Sequence, residues 1–167
     1  MLRVRALEPG DTDAFLRIRR EALETDPAAF ESSVGDDRGL DPAFVREMLG
    51  AKDGRAVIGA FDPGLVGIVG VYRDSHLKAA HKAHVWGMFV RLGARGRGVG
   101  GALLSAAIRH AREMRGVRQV HLSVSERAAA ALRLYERAGF VVWGTEPRAL
   151  LHGGALIGEH HMVLALD

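Results

Sequence analysis

Arg95-Gly96-Arg97-Gly98-Val99-Gly100-Gly101 stands between two apolar segments of different period. Before it, His84 to Val90 (HVWGMFV) has the β-branched and aromatic content of a strand. After it, Val99, Leu103, Leu104, Ala107, Ile108 and Ala111 recur at helical spacing between Gly98 and Arg115, and Gly116 stops the pattern. The glycines and arginines therefore occupy a strand-to-helix turn, where unpaired N–H groups and the helix dipole favour negative charge. Glycine lets the backbone approach a phosphate, and Arg95 and Arg97 add charge-assisted contacts. A pyrophosphate is the natural guest. A P-loop would need Gly-Lys-Ser/Thr at its end, which is missing. The letters Gly96-x-Gly98-x-x-Gly101 also match a dinucleotide fingerprint, which expects a ribose-binding acid about 20 residues onward. Glu126 falls 25 residues after Gly101, and three strands precede the turn where that motif would open a βαβ unit.

Outward from the turn, the rest of the chain alternates the same two periods. Leu2 to Leu7 reads as a strand ended by Pro9-Gly10, and Asp11 is expected to cap a helix carrying Phe15, Ile18, Ala22 and Leu23. Asp41-Pro42 opens a short second helix, with Gly50 in the position of a C-cap glycine. Residues 55–61 and 65–72 form a hairpin about Asp62-Pro63-Gly64, and 74–82 is a polar loop. Downstream lie a strand at Val117–Val124, a helix at Ala128–Ala138 ending at Gly139, a strand starting at Phe140–Trp143 and a last strand at His161–Leu166. The order β-α-α-β-β-β-α-β-α-β-β predicts an α/β fold of the α+β mixed-sheet type.

Composition limits the partners. At 167 residues, 48% apolar and 26% charged, the chain has the size and balance of one globular domain, residues 1–167. No run of about 18 apolar residues exists, and residues 1–20 already hold five arginines and three acids, so neither a membrane span nor a secretory signal is expected. A soluble, cytoplasmic protein is the expectation. Cysteine is absent, which removes disulfides and a thiol nucleophile. Residues 91–118 carry seven arginines against Glu113, whereas Asp11 to Asp62 holds twelve acids against seven bases. An anionic partner in the middle and a cationic one near the N-terminal third follow from that split. Eight histidines come without H-E-x-x-H or cysteine spacing, so no metal is expected. Twenty arginines with only two tyrosines and two tryptophans and no nucleic-acid motif give no reason to expect RNA or DNA.

Arg95-x-x-Gly98-x-Gly100 resembles the R/Q-x-x-G-x-G/A signature of the GNAT superfamily of N-acetyltransferases. Leu134-Tyr135-Glu136-Arg137-Ala138-Gly139-Phe140 resembles the family's downstream Y-E-x-x-G-F segment. Asp26-Pro27-Ala28-Ala29-Phe30-Glu31-Ser32-Ser33, Val85 to Val90 and the ending Glu159-x-x-Met162-x-Leu164 are similar to a subgroup of it. The resemblance implies a sheet whose strands at 84–90 and 117–124 splay apart around acetyl-CoA, the cosubstrate. It also implies that the backbone of Met88, Phe89 and Val90 meets the pantetheine arm. The amides of Gly96, Arg97, Gly98, Val99, Gly100 and Gly101 then hold the pyrophosphate beside Arg95. Many relatives carry Asn where this chain has Ala128, and Ser125 is the candidate to compensate. That departure leaves a noncatalytic, CoA-binding sensor open as a second reading.

Acyl transfer to an amine needs a neutral amine, a stabilised oxyanion and a protonated leaving thiolate. Tyr135, which the resemblance puts near the cofactor sulfur, is the expected acid, because a phenol of pKa about 10 is neutral at pH 7 and can donate to a thiolate. His84 is the candidate base, with Glu21, Glu31 and Glu159 as rivals. Glu21, Phe30 and Glu31 fall in the segment where the family's first helices shape the acceptor site, and its acids suit a cationic amine. An oxyanion donor is expected from the backbone near Phe89 or Val90, at a strand irregularity. A monomer or a homodimer is compatible with the resemblance.

Overall fold

A computed structural model describes residues 1–167. The elements are β1 (Arg3–Ala6), α1 (Thr12–Thr25), α2 (Pro42–Gly50), β2 (Arg55–Phe61), β3 (Leu65–Arg73), β4 (Lys82–Val90), α3 (Val99–Glu113), β5 (Gln119–Ser125), α4 (Ala129–Arg137), β6 (Val141–His152) and β7 (Ala155–Ala165). They follow the expected order. The strands form one mixed sheet in the order β1-β2-β3-β4-β5-β7-β6. Only β4 and β5 pair in parallel.

The period-2 alternation of β2 and β3 sends neighbours to opposite faces and so builds two cores. Ile58, Ala60, Val69 and Val71 pack with Leu103, Leu104, Ala107 and Ala111 of α3 and with Tyr135 of α4. Val57, Leu65 and Ile68 pack with Phe15, Ile18 and Ala22 of α1 and Val45 and Leu49 of α2. Burying Phe15, Ile18, Leu103 and Leu104 completely contributes about 1.5–3 kcal/mol per side chain, and this fixes the helices on the sheet.

Two features of this scaffold position the site. Parallel pairing of β4 with β5 stops after Lys82↔Gln119, Ala83↔Val120 and His84↔His121, so from Val85 onward β4 has no partner on that side. The two strands diverge there into an open wedge. The second feature is a bulge in β4. Its register against β3 shifts between Gly70↔Trp86 and Ile68↔Phe89, and Gly87 sits at φ +64°, where a side chain is strained. The extra residue reverses the alternation. Trp86 packs toward the α1 core, whereas Met88 packs toward the α3 core. This is the irregularity expected near Phe89, located at Gly87 and Met88.

Three local expectations need correction. Asp11 precedes α1 but does not cap it with its side chain, because the carboxylate accepts from Arg5 at 2.7 and 2.9 Å and from the Glu8 amide at 2.8 Å. Gly50 is the last residue of α2 and not a left-handed terminator; Ala51 closes the helix by bonding back to Glu47 and Met48. Asp41, by contrast, caps α2 by accepting from the amides of Ala43 and Phe44. The final strands are also much longer than the short runs expected. Gly153 and Gly154, both at positive φ, make a two-residue turn that closes a hairpin from Val141 to Ala165. Its outer strand β6 is interrupted between Glu146 and Leu150, where Pro147 lies and Arg148 takes φ +56°.

Candidate active site

At the turn into α3, none of the amides from Gly96 to Gly101 donates to a carbonyl or a side chain; the first to do so is Ala102, which bonds to Gly98. Gly96 and Gly98 hold φ of +73° and +79°, and Cβ atoms built at Gly96, Gly98 and Gly101 would meet nothing within 4 Å. The backbone is therefore bare, with its N–H groups at the positive end of a fifteen-residue helix. This is an anion cradle that fits a diphosphate. Gly100 marks where three elements converge, since a Cβ there would lie 3.3 Å from Leu134 of α4 and 3.9 Å from Val90 of β4. Both loop arginines are engaged. Arg95 donates to Asp26 at 2.5 Å and to the Val90 carbonyl at 2.8 Å, and Arg97 donates to Asp62 at 2.6 Å.

Tyr135, one residue beyond Leu134, is 6% exposed and meets Phe140 edge-on at 6.0 Å. Burial alone raises its phenol to about 12, because removal from water disfavours the phenolate. It therefore keeps its proton throughout the neutral range. Phe89 is buried, Met88 and Val90 are half-buried, and all three lie on the unpartnered stretch of β4. Ser125 is buried at the end of β5, and its hydroxyl accepts from the Arg127 amide at 3.2 Å; Ala128 precedes α4 with no side chain to bond.

On the other side of the wedge lies a cleft of about 610 Å³. His84 and Trp86 of β4, His121 and Ser123 of β5, and Glu159 and His161 of β7 line it, and the segment after α1 closes it with Phe30, Glu31 and Ser32. His84 Nε2 is 2.7 Å from Asp74, which lies in the loop before β4, and its ring stacks on Tyr72 at 4.9 Å. The hydrogen bond from His84 leads the causes that hold Asp74 below the usual carboxylate range. His121, 5.7 Å from His84 between ring centres, is pushed down first by burial and then by its electrostatic coupling to His84. Glu159, 6% exposed, is pushed up by burial first and then by the negative charge of Glu31. The cleft thus holds a carboxyl biased toward its protonated form and an imidazole biased toward neutrality.

The floor toward α1 is Arg19, whose side chain is 8% exposed. It pairs with Asp37 at 2.5 Å and lies over the rings of Phe30 at 5.0 Å and Trp86 at 6.0 Å. Burial by itself would raise Asp37, but hydrogen bonds from Arg19 and Ser32 outweigh it and hold the carboxyl below its ordinary range.

Of the residues singled out from sequence, His84, Phe30, Glu31 and Glu159 meet in the cleft. Glu21 does not; it stands 2.9 Å from Arg91 at the end of β4, outside the lining. Arg19, Asp74, His121, Trp86 and Trp143 are additions that sequence reading did not single out. Arg19 carried a signal, because it falls four residues after Phe15 and one after Ile18, inside the apolar stripe of α1. No group of three or more His, Cys, Asp or Glu side chains has a metal-binding arrangement.

Residues 15–140 match the model of the Acetyltransferase (GNAT) family. A mycothiol acetyltransferase from Salinispora tropica is 32% identical over 145 residues, a match that covers 84% of this chain and 45% of that protein. The chain thus spans about half the length of the curated relatives it matches. The crystal structure of a GNAT-family acetyltransferase from Streptococcus pneumoniae superimposes with a TM-score of 0.87 at 28% identity, covering 99% of this chain and 100% of that one. A Salmonella typhimurium protein solved with its cofactor acetyl-CoA has the same fold, with a TM-score of 0.83 at 24% identity over 100% of this chain and 95% of that one.

Proposed function

The chain belongs to the GNAT family of acetyltransferases, and from that premise we propose that it moves an acetyl group from acetyl-CoA to a primary amine within a ternary complex. The observation that carries the reading is the wedge itself. It has a bare main-chain cradle on one side and, on the other, a cleft lined by charged and polar side chains, where β4 has lost its pairing with β5. Two ligands entering from opposite sides would meet at the unpartnered stretch of β4. Direct attack of the amine on the thioester is the simplest route in this reading, since the chain has no cysteine to carry the acetyl group.

Acetyl-CoA would supply the thioester and, on leaving, a thiolate. The amides of Gly96 to Gly101 would hold its diphosphate, with Arg95 and Arg97 exchanging their carboxylate partners for phosphate oxygens. The free edge of Met88, Phe89 and Val90 would take the pantetheine arm as a further strand does. Ser125, at the same end of the wedge, is the remaining cofactor contact in this reading.

His84 is the proton acceptor, and Asp74 orients its ring as the carboxylate of a triad does. Glu31 attracts the cationic amine, and Glu159, biased toward its protonated form, lines the cleft with it. Glu21, tied to Arg91, adds to the negative field of that region without lining the cleft. Tyr135 Oη gives its proton to the departing sulfur; a donor raised to about 12 stays protonated until charge develops there. Release of free thiol from acetyl-CoA, followed across a panel of amines, tests the reading. Acetylation of at least one amine is expected. Binding of CoA with no acetylation of any amine would support the noncatalytic alternative suggested by Ala128.

A further inference from the structure

Arg19 has more hydrogen-bonding capacity than the protein uses. Nη2 serves Asp37 at 2.5 Å and lies 3.5 Å from the Ser32 hydroxyl, whereas Nε and Nη1 are buried with no acceptor. Buried, unpartnered guanidinium donors are costly and uncommon in folded proteins. The two differ in what surrounds them. Nε is roofed by the turn at Gly39, where a Cβ would approach it to 3.3 Å. Nη1 faces Gly87, 3.5 Å from where a Cβ would stand, on the bulge at the opening of the wedge. The Phe30 and Trp86 rings lie 5.0 and 6.0 Å from the guanidinium carbon, cation–π neighbours that do not use its N–H donors.

Resting on the acetyltransferase reading, we propose that the acceptor is an amino acid, whose carboxylate is received by Arg19 Nη1 while its amine faces Glu31, Glu159 and His84. The charges in the cleft suit such a dipolar molecule. Lys82, the other cation lining it, has Asp74 at 3.6 Å, whereas Arg19, although paired with Asp37, keeps two donor nitrogens with no acceptor. Asp37 already balances most of the guanidinium's charge, so a singly charged carboxylate fits better than a dianionic phosphate. A plain polyamine would leave Nη1 unpaired.

Trp86 and Trp143 are the chain's two tryptophans, and both line the cleft, so intrinsic emission reports its occupancy without turnover. The experiment titrates the protein with the non-aromatic L-amino acids and with their α-carboxamides. At least one acid is expected to saturate the signal about tenfold or more tightly than its amide, the size of one charge-assisted hydrogen bond. Arg19→Lys, which keeps a cation beside Asp37 but removes the forked donor, is expected to erase that ratio. Equal binding of acids and amides, no response to any of them, or an unchanged ratio in a folded Arg19→Lys protein would overturn the proposal. Where Arg19→Lys fails to fold, the wild-type ratio decides. Thiol release measured alongside separates the two readings. Acetylation of amides as readily as acids removes the carboxylate site but leaves acetyl transfer, whereas acid-selective binding without acetylation of any amine does the reverse.

Discussion

The two sides of the β4–β5 wedge are built from different materials. The cradle at the start of α3 is main chain, the six consecutive residues Gly96 to Gly101, whose glycines keep the N–H groups bare. The cleft is side chain, contributed by α1, the segment after it, β3, β4, β5, β6 and β7. A main-chain site depends on local conformation and tolerates change in whatever does not alter φ and ψ. A side-chain site depends on the whole sheet being in register. In the proposed reaction the cradle would serve the one unchanging cosubstrate and the cleft would set specificity.

Substitutions should separate the two sides, and the largest effect is expected between them. Tyr135→Phe should lower turnover by about 100-fold or more, the usual weight of general acid catalysis, with CoA affinity nearly intact. An unchanged rate would remove Tyr135 from the acid role. His84→Gln should cost about tenfold or more in turnover, again without touching CoA affinity. Turnover left unchanged by the substitution would dismiss the base assignment. Gly98→Val puts a β-branched residue at φ +79° and should weaken CoA binding by about tenfold while leaving emission changes in the cleft as they were. Equal losses on both sides would break the comparison.

Smaller effects sharpen it. Asp26→Asn removes the carboxylate that holds Arg95 and should tighten CoA about twofold to threefold, less at high salt, as expected of a partly exposed ion pair. Weaker CoA binding would mean that Asp26 presents Arg95 and does not compete for it. The smallest effect is on acid stability. Asp37 is held below its ordinary range, so as pH falls the unfolded chain takes up that proton first. The stability it contributes is whole above the unfolded value of about 3.9 and is lost as pH drops through the lower, folded one. Asp37→Asn should remove that part of the acid unfolding curve, read by tryptophan emission.

The same difference in materials governs what sequence could tell. The anion turn, the α3 stripe, the Asp41 cap and the strand order are written in neighbouring residues, so period and turn chemistry suffice. His84, Phe30, Glu31 and Glu159 could be placed near one another only through resemblance to a family. Asp74 and His121 acquire meaning only when β3, β4 and β5 align. The bulge at Gly87 hid which way Trp86 and Met88 point, because a strand is read by strict alternation. Gly153-Gly154 is a hairpin signal written in neighbouring residues, and the turn it makes extends the strands on both sides well beyond their apolar runs. Glu21 misleads for the opposite reason, since resemblance and the charge of its segment point to the cleft while a nearby arginine holds it outside.

The interrupted outer strand carries a consequence for how this chain behaves at high concentration. β6 forms one border of the sheet and exposes Val141, Val142, Trp143 and Leu151, the kind of border on which another chain could polymerise. Pro147 offers no donor, and Arg148, turned to φ +56°, breaks the flat run before it is long enough to template growth. The break removes the continuous row of donors and acceptors that an added strand would need along that stretch of the border.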